Sequence, residues 1–406
     1  MNYDFDRVVD RKCTNDLKWH SKAVESYLNC PVPEEMIPMW LADMDFACPP
    51  GVIEHMKNRC DKEIFGYCSP MENSLKSVCF WQKERNNLEV NPKWISVIPT
   101  VVAGINVAIR TFTNEGDGII IQQPVYDPFE KIVVRSGRTV VNNRLKSENN
   151  YYTMDYELLE KQAKDPNNKL MVLCSPHNPV GRVWKEEELR RVMDICIRNN
   201  VLVVVDEIHS DLIFYNNKFY SLLALDKSYA DHVIMLTSPG KTFNVAGLKT
   251  AVSIIPDEAK KKEFDKMIVN MSLDIKNTFG VESLEACYTK ENEQWLEELK
   301  NYIQGNIDFV YDFVKERMPI VKFCKPEGTY LIWLDFSDTN LSDGELLKDV
   351  VLGKAVICVP GTWFGPGGEG HIRFNAAGPR SMLKEALERF EEALKEKELL
   401  WVKKRN

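Results

Sequence analysis

The 406-residue sequence lacks several features that would restrict its location or its partners. No apolar run approaches the roughly 20 residues needed to span a bilayer, and the charged start, MNYDFDRVVDRKC, has no apolar core like that of a signal peptide. Basic residues number 52 against 60 acidic ones, and the resulting net charge of -8 argues against a surface for nucleic acid or anionic membranes. We therefore expect neither export nor membrane insertion, and no nucleic-acid partner.

Paired cysteines are also absent. The eleven cysteines are odd in number, scattered, and contain no C-x-x-C pair, so the sequence supports neither a disulfide framework nor a zinc site, and no metal is predicted. A reducing cytoplasm fits this usage. With 44% hydrophobic and 28% charged residues the composition is that of an ordinary globular protein, and small-molecule chemistry becomes the default expectation.

Short β-branched runs alternate with helical patterns between about Pro50 and Ile255. The runs begin at Trp94, Gly118, Leu170, Val201, Val233 and Thr250. Because they are almost continuously apolar and are separated by amphipathic segments such as 185–199, they indicate a mostly parallel sheet covered on both faces. The sequence therefore predicts an α/β domain.

A second pattern with fewer strands follows. A long charged amphipathic helix is predicted near 292–317, strands at 329–336, 355–359 and 371–374, and a final helix over about 380–395. This pattern is typical of a smaller α+β domain.

We divide the chain at two positions. Residues 1–49 form an N-terminal segment without a strong period, which is expected to pack on the small domain and the active site. Residues 50–288 form the large domain and 289–406 the small one.

The stretch SPGKTF resembles the end of a phosphate-binding P-loop, but the rest of that motif is missing. A P-loop needs a glycine five residues before Gly240, where this chain has Met235. The acidic strand that would accompany it, ending at Asp206, also precedes Lys241 instead of following it. An ATPase is therefore not predicted, and Lys241 is either a solvated loop lysine or serves another chemistry.

Polar residues follow three of the predicted strands at their carboxyl ends. They are Asn178, Asp206, His209, Ser238 and Lys241. Ligands of open α/β sheets collect at this edge, so these side chains should converge on one crevice.

N-P-x-G at Asn178, D-E-x-H at Asp206 and S-x-x-K ending at Lys241 resemble, in this order and spacing, the fold-type I pyridoxal-phosphate (PLP) enzymes of the class I/II aminotransferase-like group. The resemblance runs over nearly the whole chain. It implies a seven-stranded, mostly parallel sheet between helices, a smaller α+β domain, and PLP bound to the large domain.

The resemblance also implies roles for the crevice. Lys241 would form the Schiff base with PLP and then exchange the substrate α-proton, since a desolvated amine can lose its proton. Asp206 would keep the ring nitrogen protonated, and Tyr126 in QQPVYDPF would stack on the ring and complete the catalytic set. Asn178 and His209 would serve the ring hydroxyl oxygen. Without the resemblance, a turn asparagine, a capping acid and a structural histidine remain the alternatives.

The phosphate would lie at the start of the helix PTVVAGINVAI, bound by the backbone of Val101 and Val102 and by the Ser238 hydroxyl. Core packing is the alternative for the two valines. Tyr67 matches a tyrosine that reaches the phosphate across a dimer interface, so a homodimer is implied. Lys249 stands where many aminotransferases have an arginine, and because it lacks the planar fork we expect only a weak phosphate contact.

Substrate binding is assigned to Arg373, Trp40 and Ala42. Arg373 in HIRFNAAGP matches the arginine that holds the substrate carboxylate, with an edge-strand arginine as the alternative. Trp40 and Ala42 lie in IPMWLADMDFACPP, which, with IFGY further on, resembles the cystathionine β-lyase (C-S lyase) branch.

The resemblance therefore implies a β-elimination that cleaves L-cystathionine or related cysteine S-conjugates into a thiol, pyruvate and ammonia. An aminotransferase of unknown amino donor is the alternative enzyme, because both reactions use nearly the same residues. A non-catalytic binding protein on the same scaffold is the alternative from another class.

Overall fold

A seven-stranded sheet forms the centre of the protein, as the resemblance implied. The computed structural model describes residues 3–12 and 14–400. In spatial order the strands are Ile95–Ile98, Ala251–Ile254, Val233–Thr237, Leu202–Asp206, Asn168–Cys174, Gly118–Ile121 and Thr139–Asn142. Within the described residues, Ala251–Ile254 runs opposite to the other six strands of this sheet, which share one direction. The predicted mostly parallel sheet is confirmed.

The sheet separates two hydrophobic clusters. In Leu202–Asp206, Val203 and Val205 face one cluster and Val204 faces the other, because successive side chains of a strand point to opposite faces. Helices cover both sides, which explains why these strands are apolar throughout. The edge strand Thr139–Asn142 was not predicted, since none of its residues is fully buried and it has no long apolar run.

The α-helices of four or more residues are distributed along the whole described chain. They are Ser21–Leu28, Pro50–Cys60, Glu72–Asn86, Val101–Phe112, Pro128–Arg135, Tyr156–Ala163, Glu186–Arg198, Leu222–Leu225, Pro239–Thr242, Glu258–Asn270, Thr278–Cys287, Asn292–Arg317 and Arg380–Glu396, with a π-helical segment at Leu346–Leu352. The predicted helices near 185–199, 292–317 and 380–395 are confirmed within two residues of their ends.

A three-stranded antiparallel sheet organises the C-terminal part, in the order Leu331–Asp335, His371–Asn375, Val359–Pro360. The single strand expected at 355–359 is wrong. The chain forms two short strands there, since Val356–Ile357 pairs with Ile37–Pro38 of the N-terminal segment before the chain passes to the three-stranded sheet. A hairpin of Lys146–Glu148 and Tyr151–Thr153 completes the strands.

The N-terminal segment joins these parts. It contains the helix Ser21–Leu28, which the sequence did not predict, and its backbone pairs with the C-terminal part through Ile37 and Pro38. The domain boundaries after residues 49 and 288 stay a prediction. No helix among residues 3–12 and 14–400 is both long and apolar enough to cross a membrane.

Candidate active site

The predicted residues surround one cavity at the carboxyl edge of the large sheet. The cavity has a volume of about 380 Å³. Ten of the predicted residues line it: Ala42, Val101, Val102, Tyr126, Asn178, Asp206, His209, Ser238, Lys241 and Lys249. The parallel strands end at this edge, so their following loops bring these side chains together.

Lys241 lies on the short helix Pro239–Thr242, directly after the Val233–Thr237 strand. Its amine donates a hydrogen bond to the main-chain carbonyl of Ala42. Burial lowers the pKa of Lys241 to about 8, although the nearby Asp43 acts to raise it. An amine of this pKa is deprotonated in an appreciable fraction of molecules near neutral pH, so it can serve as a nucleophile and as a base.

Asp206 ends the Leu202–Asp206 strand and is buried on the cavity wall. Burial raises the pKa of Asp206 to about 7, while the Ile208 backbone N–H, 3.0 Å from Oδ1, acts in the opposite direction. A cationic group in the cavity would favour the charged carboxylate. Asp206 is therefore suited to bind a protonated ring nitrogen.

His209 is buried beside Asp206, with its ring 5.9 Å from that of Tyr330. Burial lowers the pKa of His209 well below its ordinary value, with Lys241 acting in the same direction, so the ring is neutral. Nδ1 has no hydrogen-bond partner among the described residues. A neutral imidazole can donate one hydrogen bond to an oxygen in the cavity.

A helix start forms another wall. Thr100 caps the helix Val101–Phe112 by accepting a hydrogen bond of 3.0 Å from the Ala103 N–H. The N–H groups of Val101 and Val102 precede the first intrahelical bonds and have no acceptor recorded in the described part of the chain. Such a start favours an anion.

Ser238 and Lys249 stand near this start. The Ser238 hydroxyl donates to the Thr250 carbonyl at 2.6 Å and accepts from the Gly240 N–H, so it would have to leave Thr250 in order to donate to a phosphate. Lys249 is exposed and has a φ of 52°.

Arg373 is buried on the strand His371–Asn375 and reaches the cavity through Asn178. Its guanidinium donates to Asn178 Oδ1 at 3.1 Å and to the Trp40 carbonyl at 2.9 Å, while Nε has no partner among the described residues. A buried guanidinium that forms no ion pair with a described carboxylate is suited to bind a substrate carboxylate.

The segment 40–46 crosses the site and is held from both sides. Its Ala42 carbonyl also accepts a hydrogen bond of 2.9 Å from the Tyr330 hydroxyl. Asn375 donates to the carbonyls of residues 41 and 43, and Asn244 donates to those of residues 44 and 46. The carbonyls of Trp40 and Ala42, more than their side chains, therefore contact the predicted machinery.

A cluster of buried charges fixes this segment to the N-terminal residues. Lys18 lies 3.1 Å from Asp43 and 2.5 Å from Asp45, and Arg11 contacts the same two carboxylates at 2.8 and 2.6 Å. Arg11 also pairs with Asp16 at 2.6 Å. This cluster was not predicted, because its residues are brought together only by the fold.

Three predicted site residues do not line the cavity. Arg373 and Trp40 are linked to it through Asn178, whereas Tyr67 is not. Tyr67 is 93% exposed. Sequence reasoning missed Tyr330, Thr100 and Thr250, of which only Thr100 carried a signal, a threonine directly before an apolar helix.

The cavity fits a polar, phosphorylated group. His209 Nδ1 and Thr250 Oγ1 are buried without partners in the described chain, and both residues line the cavity beside the two free N–H groups. Buried polar groups are normally satisfied, and a ligand with oxygen and phosphate groups would pair them.

Comparison with known proteins identifies the group to which this architecture corresponds. The family model described as aminotransferase class I and II matches residues 43–390. The chain belongs to this family. The cystathionine beta-lyase PatB of Bacillus subtilis (strain 168) is 40% identical over 391 residues, which span 96% of this chain and 100% of that relative.

Two solved structures of this family are similar over nearly the whole chain. Cystalysin from Treponema denticola, which contains a pyridoxal 5'-phosphate cofactor, is 36% identical with a TM-score of 0.93, covering 98% of this chain and 100% of that one. The PLP-bound C-S lyase from Staphylococcus hominis is 30% identical with a TM-score of 0.89, covering 97% and 98%. The fold expected from the sequence is confirmed.

Proposed function

We propose that this protein is a PLP-dependent C-S β-lyase, which cleaves L-cystathionine or related cysteine S-conjugates into a thiol, pyruvate and ammonia. The observation that carries the proposal is that the Lys241 amine and the Asp206 carboxylate line one cavity, beside a free helix start and next to Arg373. Similarity to PatB, cystalysin and the S. hominis C-S lyase supports the lyase branch.

The cavity residues divide between the parts of the cofactor. The N–H groups of Val101 and Val102 would bind its phosphate, with Ser238 and Lys249 nearby. Asp206 would hold the proton on its ring nitrogen, Asn178 and His209 would serve its hydroxyl oxygen, and Tyr126 would cover its ring. When bound, PLP supplies an electron sink for the pair released at the substrate α-carbon.

The protein side chains would then bind the substrate and move its protons. Arg373 holds the α-carboxylate, and Lys241, with its pKa near 8, removes the α-proton. Loss of the thiolate from Cβ follows, and hydrolysis of the remaining three-carbon unit gives pyruvate and ammonia. The Ala42 carbonyl, which also accepts a hydrogen bond from the Tyr330 hydroxyl, positions the Lys241 amine.

Pyruvate release without a keto acid tests the proposal. Purified protein loaded with PLP is incubated with cystathionine, and pyruvate and homocysteine are measured over many turnovers. We expect both products in equal amounts, and none from Lys241→Ala. An aminotransferase would instead form product only after addition of a keto acid, which would overturn the lyase assignment. A non-catalytic protein would form no product under either condition.

We further propose a homodimer in the cytoplasm. Ile64, Phe65 and Tyr67 are 71%, 58% and 93% exposed, and the bridge between Cys68 and Lys276 brings Ile275, which is 62% exposed, close to Tyr67. Contiguous exposed apolar surface of this kind is typical of an interface. Because Tyr67 is exposed and does not line the cavity of its own chain, we propose that it contacts the phosphate in the site of a partner subunit. The cysteines of the described chain are free thiols, which is consistent with a reducing compartment.

A further inference from the structure

An aromatic rim lies beside the carboxylate-binding arginine. Tyr27, 43% exposed, contacts the Trp40 ring at a centroid distance of 4.7 Å and the Trp363 ring at 5.0 Å. Arg373 donates to the Trp40 carbonyl and lies 5.0 Å from the Phe364 ring centroid. The rim therefore borders the position that a substrate would occupy once its carboxylate is bound.

An ion pair stands on this rim. Asp127 follows Tyr126 of the cavity wall and precedes Pro128, which also lines the cavity. The Asp127 carboxylate pairs with Lys131, one turn along the helix Pro128–Arg135, and this is its only side-chain partner recorded in the described residues. The Lys131 ammonium in turn lies 5.8 Å from the Trp363 ring centroid.

The charges of the pair reach the substrate position. Burial raises the pKa of Tyr27, and the charge of Asp127 raises it further. Burial lowers the pKa of Arg373, whereas Tyr126 and Asp127 act to raise it. Asp127 is thus within electrostatic reach of both the arginine and the rim.

The pair is able to exchange partners. The Asp127 side chain is 9% exposed, while that of Lys131 is 51% exposed on a long flexible stem. Because the Lys131 ammonium is half-exposed, it can leave Asp127 for solvent or for a ligand carboxylate. A ligand ammonium group would then keep the buried Asp127 carboxylate paired.

We propose that Asp127 and Lys131, with the rings of Tyr27 and Trp363, form a subsite for the second amino-acid head of a double-headed thioether or disulfide. The inference rests on the proposed function and narrows its substrate class to compounds such as cystathionine or cystine. Asp127 would accept hydrogen bonds from the distal α-ammonium group, Lys131 would donate to the distal carboxylate, and the two rings would contact the sulfur and methylene groups.

Substrate analogues that lack one distal charge test each contact separately. The S-carboxypropyl analogue of cysteine is cystathionine without its distal ammonium group, and the S-aminopropyl analogue is cystathionine without its distal carboxylate. Pyruvate release from the three compounds is measured as kcat/KM with the PLP-loaded unmodified protein, Asp127→Asn and Lys131→Met. Lys384→Met, which removes the lysine of an exposed i, i+4 pair on the C-terminal helix, is the matched control.

We expect Asp127→Asn to lower kcat/KM for cystathionine by roughly 10-fold or more, mainly through KM, because a charge-assisted hydrogen bond is lost. The same variant should change kcat/KM for the S-carboxypropyl compound by less than about 2-fold, since this compound has no distal ammonium group that could contact residue 127. In the same way, Lys131→Met should lower kcat/KM for cystathionine and leave kcat/KM for the S-aminopropyl compound nearly unchanged, because this compound has no distal carboxylate. Asp127→Glu should have a kcat/KM for cystathionine between those of Asp127→Asn and the unmodified protein. Lys384→Met should leave kcat/KM unchanged for all three compounds.

The subsite would be overturned if Asp127→Asn lowered kcat/KM equally for all three compounds. It would also be overturned if neither Asp127→Asn nor Lys131→Met changed kcat/KM for cystathionine relative to the analogues. That result is distinct from failure of the proposed function, in which the unmodified protein releases pyruvate from none of the compounds.

Discussion

The side-chain ammonium of Lys18 lies 2.5 Å from a carboxylate oxygen of Asp45, and both side chains are almost fully buried. Together with Arg11 and Asp43 they tie the N-terminal residues to the segment 40–46, whose carbonyls contact Lys241 and Arg373. The ion pair between Lys18 and Asp45 therefore supports the geometry around Lys241 and Arg373, although these residues are distant in the sequence.

Removing the cation from this pair should destabilise the protein. We expect Lys18→Met to lower the free energy of unfolding by about 3 kcal/mol, because the largely buried carboxylates of Asp43 and Asp45 would lose one of the two cations that form ion pairs with them. Lys22→Met, at an exposed position on the helix Ser21–Leu28, is the control and should cost no more than about 0.5 kcal/mol. Urea unfolding of the two variants measures the difference, and equal losses would contradict the prediction.

The stability of the cofactor-free protein should depend on pH through Asp206. The pKa of this carboxyl group is about 7 in the folded protein against an ordinary 3.8, so the folded state binds more protons between these values. The stabilisation that the protonated Asp206 side chain gives to the folded state is therefore fully present below pH 3.8. It is lost as the pH rises to about 7. At about 1.4 kcal/mol per pKa unit, the loss is a few kcal/mol at most.

An asparagine side chain does not titrate, so Asp206→Asn should lack this decrease of the unfolding free energy with rising pH. Thermal unfolding of the cofactor-free proteins across the pH range should show the variant gaining stability relative to the unmodified protein between pH 4 and 7. Parallel curves would contradict the raised pKa. Lys241 contributes in the opposite sense at higher pH, since its pKa is lowered from 10.5 to about 8 and stability rises between these values.

The exposed patch around Tyr67 should mediate self-association. Light scattering of the unmodified protein should give the mass of a dimer, and Ile64→Asp should give a monomer, because it places a charge in the apolar surface. Tyr67→Phe should keep the dimer but raise the PLP dissociation constant by roughly 10-fold, as one hydrogen bond to a charged phosphate is lost. Val8→Asp, at another exposed apolar position, is the control. A monomeric unmodified protein would refute the interface.

The parts of the fold that the sequence predicted are those with local signals. Strands such as Val233–Thr237 are apolar along their whole length, and the polar residues directly after them must lie at one edge of a parallel sheet. Asp206 and Lys241 could therefore be assigned to one site from their positions alone.

The missed parts depend on contacts between distant residues. The helix Ser21–Leu28 is too short to be stable by itself, and it is held by the burial of Val24 and Leu28 against the rest of the protein. Lys18 and Asp45 are 27 residues apart, and Tyr330 and Ala42 are 288 apart, so no local pattern connects them. The strand Thr139–Asn142 lies at a sheet edge and lacks the apolar pattern of its neighbours.

The hydrogen bond from Arg373 to the Trp40 carbonyl has a consequence for biosynthesis. It joins positions separated by 333 residues, and the Lys241 contact to Ala42 spans 199. During translation the strands of the large sheet can pair before synthesis is complete. The contact between Trp40 and Arg373, by contrast, can form only after the strand His371–Asn375 has been synthesised. Contacts of this separation form slowly. A nascent chain truncated before position 373 would also lack the guanidinium that we propose binds the substrate carboxylate.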